Sequence, residues 1–249
     1  MLRLLCLFFG FNLWLCAAGT APTYLVFPFT NNTGNSGLDW LGEAFSEAAQ
    51  EALSAANLLT LDRDERQTAL SRLKVDPGAV SIATMLRAGE VLGASHLVLG
   101  EYSFQGETGS GPLLAVKARI VNLSGRHTQG QTEHQAPLTD FSRMRIRMAW
   151  QILSEAEPGR APAWEQWQTV TPIVRADAVE NHIRGLLAAD DDEGHRLWAQ
   201  AARLDESYWP PRYQLARVNW TSANYRAARR WLENFREPQP RYLRAEFLA

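Results

Sequence analysis

The densest run of potential metal ligands in this chain is Asp190-Asp191-Asp192-Glu193. Carboxylates bind hard cations, but a calcium loop alternates its ligands around an obligatory turn glycine, and this run does neither. It falls where a turn should join two helices, and acidic residues in a first helical turn complement the helix dipole. The five histidines, His96, His127, His134, His182 and His195, are dispersed, with no pair at the helical spacing of a zinc protease. Gly34 to Gly37 could present amides to an anion, yet this stretch lacks the lysine of a phosphate loop and the glycine spacing of a dinucleotide fingerprint. No serine, Ser110 and Ser124 included, stands in a nucleophile elbow. The expectation is a non-enzymatic chain with no metal and no cofactor.

What remains is the chemistry of recognition. Arg212, Arg217, Trp220 and Arg226 are the candidate partner-binding residues: a tryptophan near a helix end can anchor in a partner, and guanidinium groups can engage its carboxylates. Trp209, Trp220 and Trp231 recur every eleven residues, and Trp231 reads as core. A charge-rich helix surface is also what ordinary solvation produces, so the arginines alone decide nothing.

The elements that carry these residues read as helical pairs, 176–187 with 194–203 and 212–222 with 225–235. Leu215-Ala216, Asn224-Tyr225, Ala228, Leu232 and Pro240 stand at the offsets of a 34-residue helical unit. Small Ala216 and Ala228 let two antiparallel helices approach, Tyr225 and Leu232 fill the space between them, and Pro240 stops the second. On these residues 209–242 resembles a tetratricopeptide repeat (TPR) unit. Residues 176–208 resemble a degenerate TPR-like unit through Gly185, Gly194, Trp198, Ala201 and Leu204-Asp205-Glu206, and 243–249 start a third helix pair or a capping helix. The resemblance implies a concave surface for extended peptides or partner helices. An ordinary helical hairpin with alanines at its crossing is the alternative. Two units fall short of the roughly three that a free-standing array needs, so they must lean on other structure.

Residues 22–156 alternate apolar strands with amphipathic helices, which predicts an α/β domain with a small mixed sheet and flanking helices. Strands are expected at 24–29, 58–61, 96–104, 113–121 and 126–135. The last is polar enough for a sheet edge, and Lys117 and Arg119 alternate with Val116, Ala118 and Ile120 on the strand before it. Helices are expected from the stripe Leu38, Leu41, Phe45, Ala48, Ala52 and Leu53, opened by a capping box of Ser36 and Asp39, and over 64–73 and 81–92. A final helix carries Phe141, Met144, Met148 and Ile152 behind a Thr139 cap. The segments Tyr24-Leu25-Val26-Phe27-Pro28-Phe29-Thr30-Asn31, Leu38-Asp39-Trp40-Leu41-Gly42, Leu92-Gly93-Ala94-Ser95-His96-Leu97-Val98-Leu99-Gly100 and Val121-Asn122-Leu123-Ser124-Gly125 resemble the envelope domain shared by the TolB amino-terminal, curli-secretion-lipoprotein and flagellar-outer-membrane families. That resemblance implies an α/β module that binds or assembles with other bacterial envelope proteins. Neither a propeller nor pore assembly comes with it.

Residues 157–175 contain Pro158, Gly159, Pro162 and Pro172, which exclude a continuous helix and predict a domain linker; Trp164 and Trp167 read as a short turn packed against one domain. At the other end, residues 1–18 have the form of a secretory signal peptide, with Arg3, an apolar run and cleavage after Ala18 or Gly19. An uncleaved anchor and lipidation at Cys16 are alternatives, the latter opposed by bulky Leu15. Both cysteines, Cys6 and Cys16, lie in this segment, so disulfides and thiolate chemistry are not expected after cleavage. The whole chain has a formal charge of −2, and loss of Arg3 makes it −3. So balanced a surface gives no hint of nucleic acid or of a strongly anionic membrane partner, and membrane association is left open without being predicted. The composite expectation is an exported protein of the periplasm or outer cell envelope, an α/β domain followed by a short all-α array, acting as an adaptor for protein partners. The alternative is a periplasmic sensory or small-ligand-binding module with a pocket near residues 31–39.

Overall fold

The computed structural model describes residues 21–75 and 80–233. The expected leader, Cys16, Pro240 and the third helix over 243–249 lie outside the described residues. Strands β1 (Thr23–Val26), β2 (Thr30–Asn31), β3 (Leu59–Leu61), β4 (His96–Thr108), β5 (Gly111–Asn122) and β6 (His127–Pro137) form a mixed sheet in the order β3-β1-β4-β5-β6, with β2 also on β4. β1 runs parallel to β3 and β4, and β4, β5 and β6 form an antiparallel meander. The polar β6 lies at the edge, where its low apolar content costs least.

Both faces of the sheet are covered around β1, which explains the unbroken apolar run there. Tyr24 and Val26 enter the larger core with α1 (Trp40–Ala55) and α4 (Phe141–Ala156), while Leu25 and Phe27 enter a smaller one with α2 (Arg63–Arg72) and α3 (Ile82–Leu92). Leu114, Val116, Ala118 and Ile120 of β5 are buried, whereas Lys117 and Arg119 are exposed, as their alternation requires. Ser81 caps α3 by accepting from Thr84 N, and Gly93 closes it at φ 68°. Two expected caps are not formed. Ser36 opens a short 3₁₀ turn whose cap is Asn35, and the α1 N-cap Asp39 makes no side-chain cap bond. Thr139 lies within a second 3₁₀ turn and donates instead to Ser110 O at 3.3 Å, leaving Asp140 as N-cap of α4 without a side-chain bond. In both places the extra turn shifts the helix start beyond the residue whose side chain was expected to cap it.

The segment 157–175 is held to the α/β layer. It contains α5 (Trp164–Val170), whose Trp167 is buried; Trp164 stands 5.4 Å from Trp150, and the Arg147 guanidinium lies over both rings. Arg160 donates to the Ala56 and Asn57 carbonyls behind α1. The chain continues into α6 (Ala176–Leu187), α7 (Asp191–Leu204), α8 (Pro210–Thr221) and α9 (Tyr225–Leu232). Asp190 caps α7 by accepting from Glu193 N, so part of the acidic run holds a helix start. Gly185 and Gly194 set the α6–α7 crossing: a Cβ on Gly185 would lie 3.1 Å from Gly194 O. Ala178, Val179 and Ile183 of α6 belong to the same core as α1 and α4, so this helix serves the α/β layer and the helical pair at once.

Phe29, leaving β1, depends on two glycines. Its carbonyl would collide with a methyl on Gly42 of α1, and its ring covers Gly100 of β4 where a Cβ would sit. Gly42→Ala should therefore destabilise the protein by about 1–3 kcal/mol through overpacking against backbone, read as a lower urea midpoint at unchanged slope.

Candidate functional site

The four arginine and tryptophan candidates do not form one cluster. Arg217 Nη1 donates to Asp64 Oδ2 of α2 at 2.6 Å, tying α8 to the α/β layer. Arg212 lies with its guanidinium carbon 5.3 Å from the centre of the buried Trp209 ring. Trp220 and Arg226 stand apart from these at the turn end of the α8–α9 hairpin, where both are exposed. Trp220, 43% exposed, makes an edge contact at 5.0 Å with Tyr225, which is 57% exposed. The expectation that Tyr225 fills the gap between these helices is thus corrected. As the first residue of α9 it lies beyond the crossing, and Tyr213, Ala216, Leu232 and part of Trp231 fill that space.

A separate ionic seam joins α1 and α2. Arg66 of α2 is buried, donating to Glu43 Oε1 of α1 at 2.5 Å, to Val26 O of β1 at 2.7 Å and to Ser46 Oγ at 3.3 Å. Its neighbour Arg63 approaches the same Glu43 oxygen through Nε at 3.4 Å and donates from Nη2 to Leu186 O of α6 at 2.7 Å. Arg184 of α6 reaches back to Gly37 O at 3.1 Å. Deeper in, Arg145 of α4 lies over the ring of buried Tyr208, which meets the buried His182 of α6 edge-on at 5.5 Å. Burial holds His182 down to about 3, with Arg145 and Arg63 adding repulsion, so its ring is neutral at ordinary pH. Burial likewise raises the Tyr208 phenol above its ordinary range.

Sequence reasoning missed this seam because Glu43, Arg66, Arg145 and His182 look like solvated helix residues. No local pattern marks them, since Ala44, Ala49 and Ala55 of α1 fall on or beside its apolar stripe and not on the side of Glu43. In the turn at residues 31–39 several polar side chains bond one another. Asn31 Nδ2 donates to Asp39 Oδ1 at 2.6 Å, Thr33 Oγ1 to Asn31 Oδ1 at 2.6 Å, and Gly37 N to Asn35 Oδ1 at 2.9 Å. An open hollow of about 620 Å³ lies elsewhere, on α2, lined by Asp64, Gln67, Thr68, Ser71 and Arg72. Among the described residues no group of three His, Cys, Asp or Glu side chains could hold a metal, and no helix is long and apolar enough to cross a membrane.

No protein-family model and no curated protein matches the chain. Among solved structures it is similar to the LpoB C-terminal domain from Salmonella enterica, at 12% identity over 49% of this chain and 87% of that one, with a TM-score of 0.38. It is also similar to a PelC dodecamer subunit from Paraburkholderia phytofirmans, at 15% identity over 54% and 86% with a TM-score of 0.37. TolB from Acinetobacter baumannii matches at 10% identity over 56% of this chain and 29% of that one, with a TM-score of 0.37. Identities and scores this low leave function to be argued from this chain's own residues.

The two arginine contacts should differ sharply in weight. Arg66→Met leaves Glu43 buried without its closest partner and should cost about 3–5 kcal/mol. Arg217→Ala removes a pair whose side chains are 38% and 56% exposed and should cost at most about 1 kcal/mol. Denaturant unfolding of both variants measures the contrast.

Proposed function

We propose that this chain is a non-enzymatic adaptor of the bacterial cell envelope, exported by the leader over residues 1–18, that binds protein partners through its α/β domain and TPR-like helical surface. The observation that carries the reading is the exposed pair Trp220 and Tyr225 beside Arg226 at the turn that joins α8 to α9. Tryptophan, tyrosine and arginine are the residues that dominate binding energy where they are buried by a partner. Two large rings left in water cost hydrophobic free energy that such a partner would recover. The ionisable groups with the largest changes of environment face one another within the helical layers, an arrangement suited to holding elements together.

The mechanism is burial of the two rings in an apolar recess of the partner, with Arg226 orienting an acidic or carbonyl group. Arg217 contributes indirectly, by fixing α8 against α2 through Asp64. Full-length tagged protein should appear in the envelope fraction with a mature terminus at residue 19 or 20, determined by mass spectrometry. Partner recovery from crosslinked envelope extract should fall at least about tenfold for Trp220→Ala with Tyr225→Ala, at an unchanged melting temperature. Equal recovery by the double variant removes this surface from the proposal, and a cytoplasmic protein with an intact terminus removes export.

A further inference from the structure

Helices α6 to α9 run alternately up and down as two antiparallel hairpins. Trp198 Nε1 of α7 donates to the His182 carbonyl of α6 at 3.2 Å, Trp198 and Ala202 pack on Leu215 of α8, and Tyr213 and Ala216 of α8 pack on Leu232 of α9. The short turns over 188–190 and 222–224 therefore lie at the same end of the row. They carry opposite chemistry. Beside the second stand Trp220 and Tyr225, with Arg226 and Arg230 exposed one helical turn apart on α9. Residues 212–232 contain arginines and no carboxylate. Arg217 is taken by Asp64, Arg212 lies over Trp209 and Arg229 has Glu233 at 3.9 Å, whereas Arg226 and Arg230 are in no ion pair among the described residues. Beside the first turn stand Leu187, 48% exposed, and the exposed Asp191, Asp192 and Glu193, likewise in no ion pair among the described residues. Arg196, exposed further along α7, leaves this turn net acidic.

We propose that the partner of the Trp220 surface is a second copy of this chain: the aromatic, basic α8–α9 turn of each protomer seats on the acidic α6–α7 turn of the other, about a two-fold axis. This names the partner in the adaptor reading above and rests on that reading. Charge complementarity selects the occupant. Two patches of opposite sign at one end of the array meet twice when two such ends face each other in opposite directions, which is the self-complementarity a closed two-fold interface requires. Arg226 and Arg230 then face Asp191 and Asp192, while the Trp220 and Tyr225 rings cover Leu187. Any pairing that sets like turn against like turn is repelled, so the charges also fix the orientation. An acidic segment of another protein would satisfy the arginines but leave Leu187 and its carboxylates in water.

The test is sedimentation of protein expressed from the full-length chain, at about 100 μM, with a dimer expected that dissociates at least about tenfold more readily in about 0.5 M than in about 0.05 M salt. Arg226→Glu with Arg230→Glu makes both turns acidic, and Asp191→Lys with Asp192→Lys makes both basic. Each double variant alone should be a monomer, and an equimolar mixture should restore the dimer. Trp220→Ala with Tyr225→Ala, which leaves every charge in place, should weaken the dimer at least about tenfold. A monomeric wild type, a dimer indifferent to salt, or a mixture of the two folded charge variants that stays monomeric overturns the proposal; the salt series needs no variant. Other occupants give distinct results. A monomeric wild type that cosediments with vesicles of phosphatidylglycerol and phosphatidylcholine overturns the second copy in favour of a lipid surface. A monomeric wild type that loses an envelope partner on Trp220→Ala with Tyr225→Ala also overturns it, and leaves the adaptor reading standing.

Discussion

The contact on which the architecture turns is that of Arg66 with Glu43, Ser46 and the Val26 carbonyl. β1 ends at Val26 between two layers of helices, and its last carbonyl takes a charged side-chain donor there beside the Ser46 hydroxyl. A guanidinium from α2 supplies that donor and, in the same planar fork, satisfies a carboxylate from α1. Strand, first helix and second helix are thereby fixed at one point. Burying such a charge is expensive unless its donors are met, and three acceptors from two elements meet most of them.

From that point the helical extension is added by further arginines, each ending on a backbone carbonyl. Arg63 holds Leu186, Arg184 holds Gly37, and Arg160 holds the end of α1. Carbonyls at helix ends and turns are fixed in space by the backbone itself, so these bonds set orientation more firmly than exposed ion pairs between flexible side chains. Apolar burial of Ala178, Val179, Ile183 and Tyr208 against the α1–α4 core supplies most of the adhesion. The polar contacts determine which way α6 faces.

Periodicity made the elements legible. The alternation in β5, the Ser81 cap and Gly93 stop of α3, and the apolar stripe of α4 all lie where their residues predict. Side-chain roles at the ends of elements were harder to read: Thr139 and Ser36 have the chemistry of caps, but 3₁₀ turns displaced both. The binding candidates were legible by type and not by partner. Nothing local to Arg217 announces Asp64, 153 residues away, and nothing local to Tyr225 says that the hairpin ends before covering it. The seam was illegible for the same reason, since its charges come from α1, α2, α4 and α6.

Helix α6 faces two ways, and this bears on how such a chain can be inherited. Modular proteins are commonly recombined at their linkers, where a cut exposes little apolar surface. Here a cut across 157–175 strands Ala178, Val179 and Ile183 on one fragment and opens the flank of α1 on the other. The first helical pair and the sheet therefore share one core, and recombination that separated them would leave both halves with apolar surface exposed. Beyond α7 the chain is bound to the α/β layer more lightly, through Tyr208 in the core and the exposed Arg217–Asp64 pair.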